Sequence, residues 1–327
     1  MKQKTLFNFT YIPEKKLLKQ GSESGQPVLP ASDNNARKRD KIITEDKGNL
    51  QNLLSELDKL VGLAKVKELV REIMAFVEIS RRRERFNLKN ENLVLHMIFS
   101  GNPGTGKTTV ARLLGKMLAE LKVLPKGHLT EVERADLVGE FIGHTAQKCR
   151  EQIRKAMGGI LFIDEAYSLA RGGEKDFGKE AIDTLVKAME DHKNEIILIL
   201  AGYQREMEYF LRTNPGLRSR FPIQIHFPDY SSEELLEIAQ LMLDERQYSL
   251  SVGAAEYLRS YLKSRTTDKI ANFSNARLVR NLIEKAIRRQ AVRLVNRNIY
   301  SRNDLMVLLR EDFLPPAGSG EEHYLPD

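Results

Sequence analysis

The sequence predicts an α/β fold, a parallel sheet followed by a separate helical domain, and three observations carry that prediction. Short, bounded apolar runs recur at Leu93–Ser100 (LVLHMIFS), Gly159–Asp164 (GILFID) and Ile196–Gly202 (IILILAG), as expected of strands buried on both faces. Segments of helical period fill the gaps between them. Past Pro228 the strand-like runs cease and only helical patterns remain, which puts a domain boundary near Asp229.

Taken in order, residues 1–47 scatter Gly, Pro, Ser, Asp and Asn without a period and read as a flexible basic arm. Ten Lys or Arg against six Asp or Glu place a surplus of four there, out of a net +7 for the chain. More than half of the excess charge therefore sits outside the folded body, and it does not by itself point to nucleic acid. Residues 48–228 hold the sheet domain. The helix TVARLLGKMLAELKVL follows the first strand, KEAIDTLVKAMEDH precedes the strand at Ile196, and HLTEVER and PIQIHF are weaker strand candidates. Residues 229–312, from SSEELLEIAQLMLDERQ to NARLVRNLIEKAIRRQAVRLVNR, make the helical domain, and 313–327 read as a second flexible tail.

Composition narrows the chemistry. A chain of 327 residues with 41% apolar side chains can bury a substantial core. No apolar run approaches membrane-spanning length and the N-terminus lacks a secretory pattern, so a cytoplasmic protein without membrane association is expected. The single Cys149 can form neither an internal disulfide nor a thiolate metal cluster, which excludes disulfide scaffolds and cysteine-held zinc.

The segment GNPGTGKTT, Gly101–Thr109, matches G-x-x-x-x-G-K-[ST] between a predicted strand and a predicted helix. Its candidate nucleotide-binding residues are Asn102, Pro103, Gly104, Thr105, Gly106, Lys107, Thr108 and Thr109. Glycines let backbone N–H groups curl around a polyphosphate, and the helix turns its positive end to the same anion. Lys107 can reach the β- and γ-phosphates of ATP, and the Thr108 hydroxyl can ligate Mg2+. The run ILFIDEA supplies carboxylates at the end of another buried strand: Asp164 to hold the magnesium through water, Glu165 to polarise the attacking water. Charge growing on the γ-phosphate calls for cations, and Arg218 and Arg220 in NPGLRSRFP and Arg277 in NARLVRN are candidates.

Two further features compete for function. Arg280, Arg288, Arg289, Arg293 and Arg297, with SRRRERF at Ser80–Phe86, offer a basic surface that a nucleic-acid motor would use, although no DNA-reading module follows the helices. QKTLF, Gln3–Phe7, resembles a sliding-clamp docking peptide, and incidental Leu and Phe in a flexible arm produce the same string. Separately, GEFIGHTAQK, Gly139–Lys148, sets Phe141 and Ile142 between two glycines in a chain with 7% aromatics.

Together GNPGTGKTT, ADLVGEFIGHTAQK, ILFIDEAYSLA, ILAGY, NPGLRSRF and NARLVRN resemble AAA+ ATPases of the CbbX/CfxQ family over about Leu57 to Arg297. The resemblance implies a sheet of order 5-1-4-3-2 capped by a small all-α lid, and a homo-oligomeric ring, a hexamer, with ATP at each subunit interface. It implies that Val61 and Gly62 line the adenine and that Arg277 reaches the γ-phosphate from the lid. Arg220 is then the preferred arginine finger onto the neighbour's ATP and Arg218 the alternate. Phe141, Ile142 and Gly143 become a pore loop gripping a protein client of unstated identity, with Gly139 and Gly143 letting the loop swing. The implied activity is ATP-driven remodelling or partial threading of that client, with sporulation as one setting. In place of the usual polar sensor, the strand at Ile196 ends in LAGYQ, leaving Tyr203 or Gln204 for that role.

Overall fold

The computed structural model describes residues 48–89, 94–172, 176–193, 195–267, 273–295 and 301–314. The arm with its QKTLF motif, the tail beyond 314 and Arg297 lie outside the described residues. Five parallel strands, β1 (Met97–Ser100), β2 (Leu129–Val132), β3 (Ile160–Ile163), β4 (Ile197–Gly202) and β5 (Ile223–His226), pair in the order β2-β3-β4-β1-β5. This is the expected order 5-1-4-3-2. Ser100 stands opposite Gly202 and His226, while Ile163 stands opposite Leu200 and Val132. The register therefore delivers the loops after β1, β3 and β4 to one edge of the sheet.

Burial explains which strands the sequence announces. Every residue of β3 and β4 is buried, whereas the edge strands β2 and β5 leave residues in contact with water. Met97, Phe99, Phe162 and Ile199 point to one face, where they meet helices α1 (48–59), α2 (Ala64–Arg85) and α3 (Lys107–Glu120). Ile98, Leu161, Ile163 and Leu198 point to the other. That face is covered by α4 (Arg134–Leu137), α5 (His144–Ala156), α6 (Gly178–Asp191), α7 (Gln204–Thr213) and α8 (Pro215–Arg218). Such two-sided cover requires near-continuous apolar runs in the central strands.

One polar residue interrupts the first run. His96 is 4% exposed, and its Nδ1 accepts a hydrogen bond from the Leu198 N–H at 3.1 Å, with the Met189 carbonyl as its other backbone partner. Burial lowers its pKa to about 4, so the ring is neutral at physiological pH.

The second domain packs α9 (Ser232–Glu245), α10 (Val252–Thr267) and α11 (Ala276–Val295) into a bundle whose Leu235, Leu258 and Val279 continue the core of the α2/α3 face. A reciprocal capping box between Ser231 and Glu234 starts α9. The chain then returns through α12 (Arg302–Met306) and α13 (Arg310–Phe313). Among its described residues the only strand pairing is a short parallel one, Ser249–Leu250 with Val307–Leu308. This pairing is too short to leave a sequence period. Gln290 anchors the returning segment: its buried amide donates to the carbonyls of Asp304, Leu305 and Val307 at 3.0–3.2 Å. Arg293 grips Asp312 through Nε and Nη2 at 2.9 and 2.8 Å. That buried bidentate pair removes Arg293 from the expected basic surface.

Candidate nucleotide site

The loop Gly101–Gly106 joins β1 to α3 and is braced from several directions. The Thr105 hydroxyl donates to the Asn102 carbonyl at 2.8 Å, and the Tyr230 hydroxyl donates to the Thr105 carbonyl at 3.2 Å. Asn102 Nδ2 donates to both oxygens of Asp229 at 2.9 Å. Asp229 also accepts from Asn275 Nδ2 at 2.7 Å, and Asn275 Oδ1 accepts the Tyr230 N–H at 2.9 Å. Asn275 is fully buried immediately before α11, so one amide ties the phosphate loop, the domain boundary and the lid together. Gly104 shows how close the approach is: with φ of 72°, a Cβ there would lie 2.3 Å from the Ser274 carbonyl oxygen and 2.7 Å from the Arg277 nitrogen.

A cleft of about 670 Å³ opens at this edge. Gly104, Gly106, Lys107, Thr108 and Thr109 line one part, Asp164 and Glu165 the next, Gly202 and Tyr203 the next, and Arg277 and Arg280 face them from α11. Leu60, Val61, Leu63, Tyr230, Ile238, Leu241 and Met242 add an apolar part to the lining. Of the expected binding residues, Asn102 and Thr105 act from behind the lining, and Gly62, at φ of 60°, forms the turn between Val61 and Leu63.

Electrostatics fit a polyphosphate. The Lys107 ammonium donates to the Gly101 and Asn102 carbonyls at 2.8 Å, and desolvation lowers its pKa to about 8 against the opposing pull of Asp164. A buried cation beside Arg277 is a poor arrangement alone and a favourable one around an anion. At the end of β3 the backbone turns sharply, with Glu165 at φ of 46° and its N–H donating to Asp164 Oδ1 at 3.0 Å. Such left-handed backbone at a non-glycine residue concentrates at functional sites. Among the described residues no group of three or more His, Cys, Asp and Glu converges as a metal cage. The Thr108 hydroxyl, Asp164 and Glu131, whose carboxylate lies 3.4 Å from the Thr108 hydroxyl, are oxygen donors only. A sparse oxygen set suits Mg2+ completed by substrate phosphates and water.

The sequence also matches known families. The family model of ATPases associated with various cellular activities (AAA) matches residues 97–229, and the AAA lid domain matches residues 231–323. Stage V sporulation protein K of Bacillus subtilis (strain 168) is 59% identical over 81% of this chain and 83% of its own. CbbX of Cereibacter sphaeroides is 49% identical over 74% and 78%. The chloroplastic ribulose bisphosphate carboxylase/oxygenase activase of Cyanidioschyzon merolae is 44% identical over 81% and 91%. The chain belongs to the CbbX/CfxQ family of AAA+ ATPases. It is accordingly a nucleotide-binding protein and an ATP hydrolase. A solved chain from work on katanin self-assembly, 18% identical and covering 87% of this chain and 90% of its own at a TM-score of 0.53, shares the fold.

Three groups of this AAA+ chain lie away from the cleft's lysine. At the strand end, Tyr203 lines the cleft while the Gln204 amide is engaged with Glu208 at 3.1 Å, so of the two candidates only Tyr203 faces the cleft. Arg218 is exposed, and Arg220 is held by Glu190 and by the Gly216 carbonyl at 2.8 Å; neither lines the cleft of its own chain. Phe141 and Ile142 stand 64% and 88% exposed on a loop with a fixed neck. The Gly139 N–H donates to the buried Thr145 hydroxyl at 2.9 Å, and a Cβ on Gly139 would meet His144 Cβ at 2.5 Å. Gly139 is thus required for close packing rather than for swinging, which differs from the expectation for that residue. Sequence reasoning missed Asp229, Asn275, Tyr230, Ile238, Met242 and the cleft position of Arg280; only the proximity of Arg280 to Arg277 carried a signal.

Proposed function

We propose that this ATPase works as a ring, a hexamer in the manner of AAA+ assemblies, that hydrolyses ATP at subunit interfaces to remodel a protein client. The observation that carries the reading is the pairing of a cleft lined by Lys107, Thr108, Asp164, Glu165 and Arg277 with two large apolar side chains presented to solvent on a braced loop. Lys107 and Arg277 hold the β- and γ-phosphates, and the slot of Leu60, Val61, Ile238 and Met242 takes the base. Mg2+, held by the Thr108 hydroxyl and through water by Asp164, would neutralise charge across the phosphates. Glu165 accepts the proton of the attacking water, and the Tyr203 hydroxyl orients that water against the γ-phosphate. Arg220, with Arg218 as alternate, completes the neighbouring subunit's site, consistent with its place outside its own cleft. In the free chain Arg220 is held by Glu190 and the Gly216 carbonyl, contacts it would exchange for the neighbour's phosphate.

Phe141 and Ile142 then grip an extended polypeptide by apolar contact that ignores sequence, and Gly143, at φ of 84° with nothing within 4 Å of a Cβ, ends the loop at the start of α5. The relationship to stage V sporulation protein K supports sporulation as the setting. Among the described residues no helix is long and apolar enough to cross a membrane, in keeping with work in the cytoplasm. A nucleic-acid motor is the weaker alternative, because Arg293 is held by Asp312 and Arg280 lines the cleft.

The test is Phe141→Ala. Basal ATP turnover and melting temperature should stay near the parent values, while stimulation by an unstructured polypeptide such as casein disappears. Stimulation by single-stranded or duplex DNA in place of casein would overturn the reading.

A further inference from the structure

Arg134 is the first residue of α4, the short helix that leads from β2 into the loop bearing Phe141 and Ile142. Its guanidinium reaches across to a different part of the chain. Nη1 donates to the Ser168 carbonyl at 2.5 Å, and Nη2 donates to Asp176 Oδ1 and Oδ2 at 2.7 and 2.6 Å. Asp176 in turn accepts the Gly178 N–H at 2.7 Å, where α6 begins. These are short, charge-assisted bonds, the kind that fix geometry as well as add energy.

The two segments so joined follow neighbouring parallel strands, one leading to the cleft-lining Glu165 turn and the other to the Phe141–Ile142 loop. Ser168 lies in the 3-10 turn Ala166–Ala170, which follows Glu165 directly. On the same turn, the Tyr167 ring packs 6.0 Å from Tyr203 and closes on Gly202, so the turn senses both cleft-facing strand ends. On the other side, Lys148 Nζ donates to the Ala135 and Val138 carbonyls at 2.9 and 3.1 Å, and Thr145 holds Gly139. Helix α4 and the loop neck are thereby one braced piece.

We propose that Arg134 is the positioning residue that couples the nucleotide site to the Phe141–Ile142 loop, fastening the turn after Glu165 to the helix that carries the loop. Displacement of that turn by bound ATP then moves the loop with it. The inference rests on the loop being the working surface described above, and its test needs no client. If casein failed to stimulate turnover, the gripping role would fall while the coupling measured here could stand.

The chain contains no tryptophan, so Phe141→Trp creates a single fluorescent reporter on the loop. In a Glu165→Gln background, which holds ATP without turning it over, ATP and magnesium should shift the emission of this reporter. Adding Arg134→Gln should abolish the shift while ATP affinity by calorimetry stays within about threefold of the parent. Arg134→Lys should restore part of it. Asp176→Asn should reduce the shift by itself and add little to Arg134→Gln, as partners in one network do; it is also the fallback where Arg134→Gln fails to fold. An unchanged shift in Arg134→Gln, no shift in the parent reporter, or a collapse of ATP affinity on losing Arg134 would each overturn the proposal.

Discussion

His96 illustrates how a single side chain is fixed by what surrounds it. It sits in an apolar run with both ring nitrogens used by backbone groups of neighbouring segments, Leu198 and Met189. Its folded pKa of about 4 lies below the ordinary 6.5, so the unfolded chain binds more protons between those values. The contribution of His96 to stability is complete above pH 6.5 and is lost as pH falls toward 4, on the order of 3 kcal/mol in total. Urea midpoints at pH 7.5 and pH 5 should differ accordingly, and His96→Gln should flatten part of that difference. At this scale the nucleotide site was readable where its chemistry is contiguous. Lys107, Thr108, Asp164 and Glu165 stand in local patterns whose residue types have few other uses. Arg293 was misread because the carboxylate that neutralises it, Asp312, reaches it only after the chain turns back.

Between elements, legibility followed burial and chain separation. Strands β3 and β4 were plain because both faces are covered, and β2 and β5 were faint because water touches them. Of the apolar slot only Val61 was anticipated, through the family resemblance: Ile238 and Met242 look like ordinary core positions of α9 until the packing of domains turns them toward Val61. The same holds for Asn275, whose partners Asp229 and Tyr230 lie about 45 residues away. Asn275→Ala would strand the Tyr230 N–H and leave Asp229 with one amide partner fewer, at a cost of about 1–3 kcal/mol. Because Arg277 follows two residues later, ATP turnover should fall more than this loss of stability accounts for. Turnover measured well below the melting transition, alongside calorimetric melting, separates the two effects.

For the whole molecule, each chain gathers Lys107, Thr108, Asp164, Glu165 and Arg277 around one cleft and keeps Arg218 and Arg220, the proposed finger candidates, outside it. Turnover should therefore rise with protein concentration as subunits meet. Arg220→Ala and Lys107→Ala should each be inactive alone. Mixed, they should recover part of the parent rate, since some interfaces then join an intact cleft to an intact finger. Full activity of assembled Arg220→Ala would pass the role to Arg218.

Gly104 carries a last consequence, for inheritance rather than catalysis. A lid of this kind looks like an exchangeable cap, yet the backbone of Ser274–Arg277 lies where any side chain at residue 104 would have to go. A lid transplanted from a distant ATPase would have to reproduce that backbone path and an amide at position 275, or the phosphate loop would lose its seat. Loop and lid are thus a single heritable module split across the sequence, free to change only together.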